Sequence, residues 1–308
     1  MLDAKSYQEM RQEFNKKYQE IILPTVRKYE GEREENLKKG KKYSKILLVL
    51  SLLSVPLLIL VLGFFAVFVA ITLFVCSTIP MSIIKKGFEA KVKEKIMPVV
   101  CSCFGGLKWT NGLSYKPGAA IKISGIVSKY DSCFFDDIFV GSYKNVNYEI
   151  IEGTFDYGTG KNSKRVFSGV IIKLAMNKEF NSHTIITPEL ESHKPPIKGL
   201  RHTVLEDIDF EKKFDVFTTD EVDARYLITT SFMERLKAMK TAFRATRTKC
   251  VFLGKHLLIA LDTPKDLFSI CSLDKPMDDS QQYIQMYDEI ESIIKLIDHF
   301  KLDQKIGL

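Results

Sequence analysis

The chain has 308 residues, 45% hydrophobic and 27% charged, with a formal net charge of +7. These totals match an average globular protein, yet the apolar excess sits in one block and almost every charge lies outside it. The basic residues cluster on either side of that block, which argues against nucleic acid as the partner despite the positive balance.

Residues 1–45 read as an amphipathic, basic N-terminal helix. Over 4–33, Tyr7, Phe14, Tyr18, Ile21 and Ile22 recur at three-, four- and seven-residue steps, one apolar stripe on a charged rod. Pro24 should end or kink it. The stripe suits packing on a soluble domain or on a second copy, more than a helix lying on a bilayer.

Residues 46–84 follow, 39 in a row without Asp, Glu, Lys, Arg, His, Asn or Gln. A single helix of that length would reach roughly 58 Å, against about 30 Å of hydrocarbon. The run is too long for one span and suits two. Gly63 divides it into 17 and 21 residues, so the chain is read as a transmembrane helical hairpin turning at Leu62-Gly63-Phe64. Pro56 is tolerated inside the first helix. Lys41, Lys42 and Lys45 precede the run and Lys85 and Lys86 follow it. Positive flanks on both sides place both termini in the cytoplasm. They also attract anionic lipid headgroups, each by about 1 kcal/mol. A shallow hairpin dipping into one leaflet would have the same sidedness.

Residues 85–111 form a connecting helix with Phe88, Val92, Ile96 and Val99 or Val100 on one side, bent by Pro98. Cys101-X-Cys103 lacks the second pair a metal site requires, and the six cysteines show no paired spacings. Reduced, buried thiols fit a cytoplasmic domain. Trp109 suits either the bilayer interface or the core.

Residues 112–275 read as a soluble α+β domain with a mainly antiparallel sheet. Strands are expected over 120–127, 137–140, 147–155, 165–175 and 183–186, punctuated by turns at Lys116-Pro117-Gly118, Gly141-Ser142, 156–162 and 177–181. A loop surrounds 193–199, and Phe214 to Phe217 is a short strand. Asp220 or Thr219 caps the following helix, whose acidic first turn suits its dipole; Thr229 to Ser231 can split it in two. Gly254-Lys255 between two apolar runs is a hairpin pattern. Residues 276–308 close with a helix, Tyr283, Tyr287, Ile290, Ile294 and Ile297 forming its apolar face.

Chemistry is harder to find. Asp136 and Asp137 are paired carboxylates, but neighbours on a regular strand point to opposite faces. Gly158-Thr159-Gly160-Lys161 lacks the spacing and the helix of a phosphate-binding loop. None of the five histidines has a partner at i+3 or i+4. No cofactor or metal site is expected.

The segments FFDDIFVGSYK (134–144), YEIIEG (148–153), VFSGV (166–170), FEKKFDVFTTDEVDARYLITTSFMERL (210–236) and LGKHLLIAL (253–261), behind a basic helix and a two-span hairpin, resemble an uncharacterised bacterial membrane-protein family, domain of unknown function 3137. The resemblance implies an inner-membrane protein with a cytoplasmic domain. It implies no activity. Any site would gather around Asp136, Asp137, Asp220, Asp223 and Arg225. The leading expectation is a membrane-anchored protein whose cytoplasmic domain binds a protein partner or self-assembles. The alternative is a membrane-surface enzyme acting on lipid or envelope precursors. Transport ranks last, because the spans carry no ionisable residue.

Overall fold

Period-two alternation of β-branched and aromatic residues after position 131 builds one antiparallel sheet. The computed structural model describes residues 6–62, 65–116, 118–127, 129–189, 194–264 and 266–299. It divides the chain into two units, one of Met1–Met10, Cys101–Phe268 and Tyr287–Leu308, the other of Arg11–Val100 and Ser269–Met286.

The first unit carries the sheet, formed by β1 (Lys108–Asn111), β2 (Ser132–Tyr143), β3 (Val146–Tyr157), β4 (Lys164–Pro188), β5 (Arg201–Thr203), β6 (Phe214–Thr218) and β7 (Arg247–Asp262). The order is β1-β2-β3-β4-β6-β5, with β7 also on β4. Strand β4 is the spine. Residues 164–174 pair with β3 and 184–188 with β6, while β7 follows β4 along both stretches. The core is aromatic at its centre: Phe155 meets Phe135 at 5.6 Å and Phe167 at 5.7 Å, both edge-on, with Ile138, Ile151, Ile171 and Leu258 around them.

Four expectations need correction here, the first being the turn at 177–181, through which β4 runs unbroken. Residues 119–124 form a short helix, α5 (Ala119–Ser124), instead of a strand. Gly125 ends it at φ +72°, the left-handed stop that outweighs the β-branched side chains before it. The β2–β3 turn falls at Lys144 and Asn145, both at positive φ as a two-residue type I′ loop requires. Gly141, expected in that turn, lies within β2, where the Tyr148 ring fills the place of a Cβ at 2.7 Å. Gly254-Lys255 does not turn the chain back. Strand β7 runs straight through it, because both halves pair with β4; the register shifts there between Ala175 and Phe180 of β4.

Helices α6 (Ile208–Glu211), α7 (Glu221–Leu227) and α8 (Thr230–Ala242) flank this sheet. The break between the last two is built by Thr229, whose hydroxyl accepts from the Phe232 N–H at 3.2 Å.

The second unit is helical. Its elements are α1 (Tyr7–Lys17, from Arg11 onward), a π-helical turn Tyr18–Ile22, α2 (Leu23–Leu62), α3 (Phe65–Cys76) and α4 (Ile79–Cys101, to Val100). Pro24 neither ends nor interrupts the helix. Having no N–H, it leaves a gap in the ladder, and the wider turn just before it takes up the mismatch. Phe14, Tyr18, Ile22 and Val26 then form the buried stripe, and Ile21 turns outward at 43% exposure. Helix α3 runs back beside α2, and the start of α4 continues the return, with Met81 packed on Gly40. The turn expected at Gly63 lies outside the described residues. Among those described, the run Val67–Phe104 is the one long and apolar enough to cross a membrane.

Segment 269–286 is tied onto these helices. The Arg33 guanidinium donates to the Leu273 carbonyl at 2.9 Å, Glu30 accepts from the Met277 N–H at 2.8 Å, and Lys85 pairs with Asp274 at 2.7 Å. Helix α9 (Ser280–His299) buries Tyr283, Tyr287, Ile290, Ile294 and Ile297, the face its periodicity predicts.

Candidate functional site

The acidic candidates do not meet. Asp136 is exposed and Asp137 fully buried, on opposite sides of β2 at a register shift against β3. Asp137 Oδ1 accepts from Trp109 Nε1 at 2.6 Å, so a buried carboxylate seats the half-buried indole. Asp220 caps α7, accepting from the N–H groups of Val222 and Asp223 at 2.9 and 3.1 Å. Asp223 in turn accepts from Ser182, through its N–H at 3.1 Å and its hydroxyl at 2.5 Å. Arg225 is exposed near the end of α7. Strands β3 and β4 separate β2 from the β6–α7 corner, so the five residues make two structural features and no shared site.

Other reactive groups are likewise engaged. Cys101 and Cys103 are buried and take part in no disulfide, and burial pushes the Cys101 thiol well above its usual range. His202 Nε2 lies 3.3 Å from buried Asp215, a pairing across β5 and β6 that sequence spacing conceals. Among the described residues no group of three His, Cys, Asp or Glu could hold a metal.

Asp298 of α9 gathers Tyr7 Oη at 2.7 Å, Tyr143 Oη at 3.1 Å and Lys144 Nζ at 2.6 Å. Burial works to raise this carboxyl, but the bonds from Lys144 and Tyr7 outweigh it and hold it below the usual carboxylate range. A depressed folded value adds stability above the unfolded pKa of about 3.9, and that stability drains away as pH falls through the folded value. Asp298→Asn should therefore cost about 1–3 kcal/mol at neutral pH. The gap between variant and parent should close in strong acid, as read by urea unfolding across pH.

What remains is an open groove between α2 and the turn that follows α3, of about 490 Å³. It is lined by Lys41, Ser44, Lys45 and Leu48 on one side and by Ser77, Thr78, Met81 and Ser82 on the other. Lys41 and Lys45 are one helical turn apart and so share a face. Ser77 and Thr78 donate their hydroxyl protons to the carbonyls of Phe74 and Val75 at 2.6 and 2.8 Å. Ser44 Oγ, by contrast, is buried and finds no partner among the described residues. Of the other lysines expected to flank the apolar run, Lys42 and Lys86 are exposed outside the groove and Lys85 is held by Asp274. Sequence reasoning named both groove lysines and missed the hydroxyls, whose only signal was Ser-Thr at the end of an apolar run.

Residues 165–302 match the model of a family described as "Protein of unknown function (DUF3137)". No curated protein matches the chain. Among solved structures it is similar to the mycobacterial trehalose monomycolate transport factor A, TtfA, at 9% identity and a TM-score of 0.30, over 62% of this chain and 88% of that one. The family match runs from the start of β4 past the end of α9, so the helices α1 to α4 and strands β1 to β3 lie outside it. Over residues 165–302, less than half of its length, the chain is thus similar to a family of unknown function.

Proposed function

We propose that this is an integral protein of a bacterial inner membrane, held by a two-helix hairpin over residues 46–84 with both termini in the cytoplasm. Residues 1–45 and 85–111 would lead to and from the anchor, and the α+β part over 112–275 with the helix of 276–308 would bind a protein partner or assemble with itself. One observation carries the anchor. Leu50, Leu52 and Leu53 of α2 and Phe68, Ile71 and Phe74 of α3 are each more than half exposed. Leaving six such side chains in water forfeits on the order of 10 kcal/mol, comparable to the whole stability of a domain. A bilayer removes that cost.

Support for a protein partner comes from α7, where Val222 at 79% and Tyr226 at 52% exposure stand one turn apart. The anchor is tested by alkaline carbonate: the full chain should stay with the membrane pellet, and release into the supernatant would end this reading. Crosslinking in native membranes should give a defined adduct that Val222→Asp abolishes. An unchanged adduct in that variant would remove α7 as the contact.

A further inference from the structure

We propose that the groove at the base of the hairpin is a binding site for a phosphate-bearing anion, the headgroup of an anionic phospholipid. The proposal rests on the membrane reading above and adds a specific pocket to it. Two ammonium groups, Lys41 and Lys45, line the groove and no carboxylate does. Among the described residues neither lysine forms an ion pair, although Lys38, Lys39, Lys85 and Lys91 nearby in the same unit all do.

The hydroxyls sort by what they still have to give. Ser77 and Thr78 have committed their protons to backbone carbonyls, whereas Ser44 Oγ is buried and unpartnered. The phosphodiester of a lipid headgroup accepts several hydrogen bonds and has no proton of its own to donate. It meets the two lysines, and a rotamer change of half-buried Ser44 would turn its unbonded hydroxyl toward the anion at no cost in displaced internal bonds. Leu48 and Met81, also in the lining, offer apolar contact where an acyl chain would leave the headgroup. With both residues set at the polar end of the apolar run, the phosphate lies at the depth that bilayer headgroups occupy.

The test uses the full chain in mixed micelles holding equal amounts of phosphatidylglycerol and phosphatidylcholine, with retained lipid read by native mass spectrometry. Wild type should keep phosphatidylglycerol in preference. Lys41→Gln with Lys45→Gln should lower that retention roughly tenfold or more, from the loss of two headgroup-directed charges. Lys42→Gln with Lys86→Gln removes equal charge outside the groove and should cost clearly less, since it loses only the diffuse attraction to the bilayer surface. Equal losses in both pairs, or no lipid preference in wild type, would overturn the proposal. Displacement of the lipid by millimolar inorganic phosphate would overturn the headgroup as the source and leave free phosphate as the ligand. Carbonate extraction of the wild type separates the two readings: no lipid preference with the protein still in the pellet sinks the pocket alone, and release into the supernatant sinks the membrane reading.

Discussion

Gly169→Ala should unfold the sheet at temperatures where the parent is stable. Gly169 sits in β4 between Gly153 of β3 and Asp262 of β7, at φ +150°. A Cβ built there would lie 2.1 Å from the Leu261 carbonyl oxygen and 2.9 Å from the Thr263 N–H nitrogen. Both are backbone atoms of the paired chain, so no rotamer change relieves the overlap. Strain at that φ costs about 1–3 kcal/mol, and forced displacement of packed backbone a similar amount. The sum, roughly 2–6 kcal/mol, is a large share of an ordinary domain's 5–15 kcal/mol. Gly254→Asn is the control, since Gly254 at φ +57° has nothing within 4 Å of its Cβ position and asparagine tolerates that region. Urea unfolding should rank the two far apart. A Gly169→Ala protein within about 1 kcal/mol of wild type would refute the packing at the β4–β7 seam.

Asp137→Ala should cost nearly as much and report on itself. The substitution deletes the acceptor of the Trp109 N–H and leaves a cavity on a fully buried stretch of β2. Loss of a charge-assisted bond together with an unsatisfied donor amounts to about 2–4 kcal/mol. Trp109 is the chain's one tryptophan, so its fluorescence reads this site alone. Emission should shift to the red in the alanine variant. Asp137→Asn keeps an acceptor and should recover part of both signals. Unshifted emission in Asp137→Ala would show that the carboxylate does not seat the indole.

Where one residue's environment is set by its neighbours in sequence, the chain could be read directly. The buried faces of α9 and of residues 88–100 follow from three- and four-residue spacing, because a helix's register needs no distant partner. Asp220 and Thr229 reveal their caps for the same reason. Ala119–Ser124 misled, since two isoleucines spoke for a strand while the decisive residue, Gly125, came after them. Gly254-Lys255 carries the local chemistry of a hairpin turn, and only the long-range pairing with β4 keeps it straight. The groove was hidden for the same physical reason. Lys41 and Ser82 are far apart along the chain and become neighbours only because α3 returns beside α2 and brings the start of α4 against it.

Helix α2 continues without a break from Leu23 to Leu62, so no joint separates its charged half from its apolar half. The stretch ahead of the apolar run, 23 residues, forms a rod of roughly 34 Å. If the apolar half is the membrane anchor proposed above, a lean of about 20° would carry the far end of this rod some 12 Å sideways. On that reading the unbroken helix would convert a change in bilayer thickness into sideways displacement of whatever is tied to it, segment 269–286 included.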